Sequence, residues 1–227
     1  IHIDLRPLAQ FAGARLIQSE ISRIDFDQKI IHCEGRPTIG FDLISLNIGS
    51  KPDAIEIPGA AEFAIAIKPI DQFLVQWQKI YADMLNVIGS KKKSYRLLIV
   101  GGGPASVELA FAVQQRIHRD LSIQKYDDSP LQIGIVTADT EVLKLHNSKV
   151  RHFVKAELAI RGIEVLQDHK VVKFSDGKIH CSDERLIEAD SMVYATGASI
   201  EAWPEECGLA IGADGFIEVN DFLQSSS

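Results

Sequence analysis

Apolar and polar positions along the chain change period several times, and each change marks a predicted element. Leu5, Leu8, Ala9, Phe11 and Ala12 recur at roughly helical spacing. From 15 to 24 the alternation shortens to a period of two, as in a half-buried strand. A reversal at 25–28 leads into a strand at 29–33 and a turn at 34–37, so this part predicts a small antiparallel meander. A further strand is predicted over 41–48, ended by Gly49-Ser50-Lys51-Pro52. The stretch after it, punctuated by Pro58-Gly59 and Lys68-Pro69, predicts loop. Between 70 and 88, Phe73, Leu74, Trp77, Ile80, Tyr81, Met84, Leu85 and Ile88 return every three or four positions. That is an amphipathic helix, with its Trp and Met as packing residues. Residues 89–94 read as a linker.

The pattern then becomes β-α-β. Leu97-Leu98-Ile99-Val100 is an unbroken apolar run, as a parallel strand buried on both faces requires. Gly101-Gly102-Gly103-Pro104 breaks it, and a helix is predicted over 106–119. After a polar loop at 120–130 come a strand at 131–136, a helix at 150–159 stopped by Gly162, and a strand from 163 to 166. Short strands at 171–174, 178–181 and 185–187, turned at Asp176-Gly177, predict a second meander. A buried strand at 191–195 closes at Thr196-Gly197. The ending Ile48-Gly49-Ser50 is echoed in Ala195-Thr196-Gly197-Ala198, which suggests two similar nucleotide-binding units.

Gly101-Gly102-Gly103-Pro104-Ala105-Ser106 matches G-x-G-x-x-G except for the final Ser. In such a turn the first glycine makes the bend and the second admits a pyrophosphate. The third position needs only a side chain small enough for helix and strand to pack closely. The helix start that follows offers free N–H groups and the positive end of a dipole to phosphate. A glycine turn that binds nothing is the competing reading. The acid that usually holds the ribose hydroxyls at the end of the second strand is replaced by Thr137, with Asp139 two places on. No Arg lies there to hold a 2′-phosphate, which leans toward NAD. Glu108, taken as lying in the first helical turn, is explained by spacing alone as an acid that favours the helix dipole.

Composition removes other classes. Of 227 residues, 46% are apolar, and 24 Lys+Arg against 31 Asp+Glu leave a net charge of −7, which excludes a phosphate-tracking nucleic-acid surface. Cys33, Cys181 and Cys207 form no paired redox motif and no zinc set, and read as reduced cytosolic thiols. The seven His residues have no metal-binding spacing, and neither a nucleophile elbow nor a P-loop lysine is present. No apolar stretch approaches the ~20 residues of a membrane span. No metal site is expected, and no catalytic side chain is assigned.

The run from Arg96 to Ala110 resembles the NAD-domain fingerprint of the pyridine nucleotide-disulfide oxidoreductase superfamily. Ala189-Asp190-Ser191-Met192-Val193-Tyr194-Ala195-Thr196-Gly197-Ala198 is similar to its strand-closing A-T-G motif, and 41–52 to the earlier copy in the FAD domain. Residues 208–220 resemble the return into that domain. Without a cysteine pair, the likeness is to the type II NADH dehydrogenase-like branch. Residues 3–9 and 68–74 further resemble flavoprotein modules fused ahead of selenide, water dikinase.

The resemblance implies an α/β fold in which a Rossmann-like NAD(P)-binding domain, 95–198, is inserted in a partial FAD-binding domain. That domain comprises 1–70 and a return segment, 199–227, with a connecting helix and linker at 71–94. It implies FAD and NAD(P)H as cofactors, hydride transfer from nicotinamide to flavin, and an acceptor such as a quinone. Gly101, Gly103 and Ser106 would contact the pyrophosphate, and Glu108 would lie near the nicotinamide. Thr196 and Gly197 would lie near the cofactor junction, while Ile21, Ile48 and Gly49 would border the FAD adenine half. Gly102, Pro104 and Thr137 complete the expected cofactor-binding set.

The FAD domain's own glycine fingerprint and its later Gly-Asp motif are missing, and the chain opens on Ile1. An internal piece of a longer flavoprotein, inactive by itself, is therefore expected. The alternatives are a redox-inactive regulatory or docking module of a selenium-metabolism fusion, and an NAD(P)-binding sensor without flavin. A homodimer, a following kinase-like domain, and a cytoplasmic position peripheral to the inner face of the membrane stay open.

Overall fold

The computed structural model describes residues 3–52, 57–90, 94–122, 130–195, 198–200, 202–213 and 215–226. They divide into two compact units, Ile1–Gly49 with Ile200–Ser227, and Ser50–Ser199.

The first unit begins with helix α1 (Leu5–Phe11), capped by Asp4, whose Oδ1 accepts the Arg6 N–H at 3.0 Å. The expected meander follows as β1 (Ile21–Asp25), β2 (Ile30–Cys33) and β3 (Ile39–Gly40), antiparallel in that order. Its first turn is tied by the Gln28 N–H donating to Asp25 Oδ1 at 2.9 Å, and Ile24 pairs with Ile31 in register. Two expectations need correction here. The strand predicted from residue 15 begins only at Ile21. No strand forms over 41–48, where Leu43 is 92% exposed and Ile48 42%. An apolar run becomes a strand only when a neighbour accepts its backbone hydrogen bonds, and no ladder among the described residues reaches this one.

The second unit holds the parallel sheet. After β4 (Lys51–Pro52), the stretch expected to be loop folds into α2 (Ala60–Phe63) and β5 (Ile65–Ala66). Gly59, at φ +79°, starts α2 against the second meander. A Cβ there would lie 2.1 Å from the Phe174 carbonyl oxygen, so only glycine allows this approach. Next come α3 (Ile70–Gly89), β6 (Tyr95–Val100), α4 (Pro104–Asp120), β7 (Leu131–Val136), α5 (Ser148–Ile160) and β8 (Glu164–Leu166). The second meander is β9 (Val171–Ser175), β10 (Lys178–Cys181) and β11 (Leu186–Glu188). Then β12 (Ser191–Tyr194) and β13 (Ala198–Ser199) follow, and α6 (Trp203–Glu206) belongs to the first unit.

The main sheet runs β5-β12-β6-β7-β8, every neighbouring pair parallel. The period-two geometry of β6 explains its continuous apolar sequence. Tyr95, Leu97 and Ile99 enter a core with Met84 and Ile88 of α3, Val107, Ala110, Val113 and Ile117 of α4, and Val154 and Leu158 of α5. Leu98 and Val100 enter a second core on the opposite face, with Met192, Tyr194 and the meander residues Val171, Phe174, Ile179 and Ile187. The sheet is thus covered by helices on one face and by a β-meander on the other. A short two-stranded sheet completes the unit: β13 pairs antiparallel with β4, Ala198 opposite Pro52 and Ser199 opposite Lys51. No helix among the described residues is long and apolar enough to cross a membrane.

Candidate functional site

In an open parallel sheet, ligands bind beyond the carboxyl ends of the strands, where neighbouring strands send their chains in opposite directions. Here that place is the pair β6 and β12: the chain leaves β6 toward β7, whereas β12 lies on its other side. The glycine turn leaves β6 at this point.

Gly101 has φ +127°, a conformation for which L side chains are poorly suited, and its N–H donates to the Val136 carbonyl at 2.8 Å. On the other side, the Ala195 N–H donates to the Val100 carbonyl at 2.8 Å. Gly102 is fixed from two directions. Its carbonyl accepts the Leu143 N–H at 2.7 Å, and a Cβ on it would stand 2.5 Å from Thr137 Oγ1. Gly103 caps α4 in extended geometry (φ −83°, ψ 177°), and a Cβ there would meet no atom within 4 Å among the described residues beyond its chain neighbours. Among the described residues, Gly103 therefore has no side-chain packing against it. Pro104 at the first helical position gives up only an N–H that has no intrahelical acceptor anyway, and the Ala105 and Ser106 amides that follow also lack an intrahelical acceptor, as an outside anion requires.

Ser106, in the place of the third glycine, is wholly buried, and its hydroxyl has no hydrogen-bond partner among the described residues. It packs as the small residue this position needs. Thr137 is also buried; its Oγ1 accepts the Asp139 N–H at 3.1 Å, while its backbone joins Leu166 and His169. The place of the ribose-binding acid is thus filled by a hydroxyl turned to its own loop. Asp139 is ion-paired to Lys144 Nζ at 2.8 Å, and that hydrogen bond raises the lysine's pKa. Glu108 corrects an expectation. Because α4 starts at Pro104, Glu108 is its fifth residue, exposed and beyond the first turn, where the dipole no longer favours an acid.

Thr196 and Gly197 lie outside the described residues. Ile21, Ile48 and Gly49 belong to the first unit; Ile21 opens β1 with its side chain exposed, and Gly49 has φ +75°. The second unit therefore gathers Gly101, Gly102, Gly103, Pro104, Ser106 and Thr137 around one strand end. Sequence reasoning passed over Leu143, a buried residue at φ +58° that braces the glycine turn through its N–H. A positive φ in a leucine leaves no mark in the sequence.

All three cysteines are free, and burial pushes the Cys181 thiol up, away from the reactive thiolate. No cluster of His, Cys, Asp or Glu that could hold a metal occurs among the described residues. What the geometry offers is a cradle for a pyrophosphate rather than a nucleophile.

The sequence model of the pyridine nucleotide-disulphide oxidoreductase family matches residues 10–227. The chain belongs to this family. Among its relatives, NADH dehydrogenase-like protein YutJ of Bacillus subtilis is 25% identical over 178 residues, 78% of this chain and 44% of its own length. The internal alternative NAD(P)H-ubiquinone oxidoreductase A1 of Arabidopsis thaliana mitochondria is 22% identical over 231 residues, 91% of this chain and 45% of its own. The chain spans less than half the length of these two relatives. Of solved structures, NDH2 of Plasmodium falciparum in complex with NADH superposes with a TM-score of 0.69 at 21% identity, over 86% of this chain and 45% of that one. The ferredoxin reductase for the CYP199A2 system of Rhodopseudomonas palustris does so with a TM-score of 0.75 at 15% identity, over 97% and 50%. These oxidoreductases share the fold. The narrower likeness to modules fused with selenide, water dikinase finds no support in the comparisons.

Proposed function

We propose that this oxidoreductase chain is part of an FAD-dependent NAD(P)H oxidoreductase with a quinone-like acceptor, and that Ser50–Ser199 is its NAD(P)H-binding part. The observation that carries the reading is the open space at Gly103. The glycine turn sits at the switch point of a parallel sheet, and no described residue packs where a Cβ on Gly103 would stand, as close approach of a pyrophosphate to this backbone requires. Gly101, Gly102 and Gly103 bring the backbone up to that volume, while Ser106 lets α4 pack closely on the sheet. When bound, NAD(P)H supplies a hydride. The chain's own part is to hold the phosphates and orient the nucleotide across the β6 and β12 ends, with Ala195 on the far side.

The Gly103→Val variant tests this. Its backbone geometry suits any L residue and its Cβ meets no described neighbour within 4 Å, so the variant is expected to fold, which circular dichroism checks. Calorimetric titration is expected to show NADH and NADPH binding in the wild type and none in the variant. Unchanged affinity in the folded variant would sink the reading.

FAD fits these residues less well. The described part of the first unit contains no strand, glycine turn and helix in succession like the one after Val100, hence no second pyrophosphate cradle. The alternative reading is an NAD(P)-binding sensor working without flavin. Incubation with FAD followed by desalting separates the two. A flavin absorption spectrum retained by the full-length protein supports the oxidoreductase, and a full-length protein that binds NADH but retains no flavin supports the sensor.

A further inference from the structure

Strand β7 is the second strand of the β-α-β unit, and the residues at the end of such a strand decide how the adenosine ribose of a dinucleotide is held. An acid there accepts from the ribose hydroxyls, whereas a cation there pairs with a 2′-phosphate. Thr137 ends β7 and does neither, because its buried hydroxyl accepts the Asp139 N–H at 3.1 Å. Read from sequence alone, the lack of an Arg at this end leans toward NAD. The fold brings a lysine to it.

The loop that leaves β7 returns to the glycine turn. Val142 and Leu143 are buried, and the Leu143 N–H donates to the Gly102 carbonyl at 2.7 Å, which sets Lys144 at the rim of the cradle. The His146 N–H donates back to the Leu143 carbonyl at 2.8 Å, so the backbone on both sides of Lys144 is held. From that rim the lysine reaches toward the strand end, where its Nζ donates to Asp139 Oδ1 at 2.8 Å. Through Asp139 the ammonium is tied to the Thr137 hydroxyl. An ammonium has three N–H donors, so this pairing uses one and leaves two. The same pairing neutralises Asp139, the acid that could otherwise take the ribose hydroxyls.

Charge along the segment points the same way. Residues 137–156 set Asp139 and Glu141 against Lys144, Lys149, Arg151 and Lys155. Both carboxylates are ion-paired, Glu141 to Arg151 at 2.6 Å, and the segment as a whole is positive.

We infer that Lys144 is a specificity-determining residue that holds the adenosine 2′-phosphate, so that the cradle prefers NADPH to NADH. A phosphate monoester brings a charge of about −1.5 to −2 and oxygens that accept the two remaining ammonium donors. The ribose hydroxyls of NADH find no unpaired carboxylate at this strand end to accept from them. The inference rests on the dinucleotide reading above and adds which of the two nucleotides is taken.

Calorimetric titration of the whole chain with NADPH and with NADH tests it. The wild type is expected to bind NADPH about tenfold more tightly, as one charge-assisted hydrogen-bonded contact provides. Lys144→Gln should lower NADPH affinity by about tenfold and change NADH affinity by less than about twofold. Lys144→Arg, which keeps the charge, should keep the preference. The lysine side chain is 57% exposed, so circular dichroism of both variants should match the wild type. A wild type that binds NADH as tightly as NADPH, or more so, overturns the inference and leaves the dinucleotide reading standing. So does a Lys144→Gln variant that keeps the preference, or one that loses both nucleotides equally. Binding of neither nucleotide by the wild type overturns the dinucleotide reading itself and the inference with it, which keeps the two failures apart.

Discussion

Replacing Gly102 with alanine separates the glycine that packs from the glycine that faces open space. The added Cβ would stand 2.5 Å from Thr137 Oγ1, 3.1 Å from its Cβ and 3.7 Å from its Cγ2. Such a Cβ keeps at least about 3 Å from oxygen and about 3.5–4.0 Å from carbon, so the first contact is far inside the repulsive wall and the second is tight. Thr137 has little room to yield. It is buried and β-branched, its Oγ1 accepts the Asp139 N–H, and its backbone is bonded on both sides to Leu166 and His169. The strain falls on the glycine turn, which the Leu143 N–H holds from behind. Overpacking of this kind costs about 1–3 kcal/mol. At about 2–4 °C per kcal/mol, the Tm of Gly102→Ala should fall by about 2–12 °C.

Thr137→Ala alone loses the hydrogen bond to Asp139, about 1 kcal/mol. Combined with Gly102→Ala it removes the shortest contact, so the pair should be non-additive by about 1 kcal/mol. Thermal unfolding followed by circular dichroism on the four proteins reads this directly. A Gly102→Ala protein melting at the wild-type temperature, or a strictly additive double variant, would refute the packing argument.

Two further predictions concern buried polar groups. Ser106→Ala removes a buried hydroxyl that has no partner among the described residues, so it should gain about 1 kcal/mol and raise Tm by about 2–4 °C; a lower Tm would mean the hydroxyl is bonded after all. Tyr95, buried at the start of β6 with its hydroxyl 2.6 Å from Ser191 Oγ, has its pKa pushed up from 10.0 to about 12, chiefly by burial. The folded state then holds that proton where the unfolded chain has lost it. Stability should be intact below pH 10 and decline by about 2 kcal/mol between pH 10 and 12. Urea unfolding across this range should show the decline in the wild type and a much shallower one in Tyr95→Phe.

The sequence by itself determined the elements whose causes are local. The apolar run Leu97–Val100, the glycine break after it and the three-to-four period of 70–88 each demand a particular element. The structure has β6, the turn and α3 there, because a strand buried on both faces and an amphipathic helix leave unmistakable patterns. The second meander was legible for the same reason, its turn resting on Gly177 at φ +65°.

Tertiary structure decided whatever depended on a partner distant in sequence. The run 41–48 has strand composition but no ladder, while the unremarkable Ile65-Ala66 becomes an edge strand because β12 lies beside it. The start of α4 at Pro104, two residues earlier than the apolar pattern indicates, moves Glu108 out of the first turn. Three adjacent glycines look alike in sequence and differ entirely in space. Gly101 is chosen by its backbone angle, Gly102 by Thr137 pressing against it, and Gly103 by the emptiness in front of it. Local propensity reports what a residue does to its own backbone. It carries no record of the neighbour, or the gap, that the folded chain sets opposite.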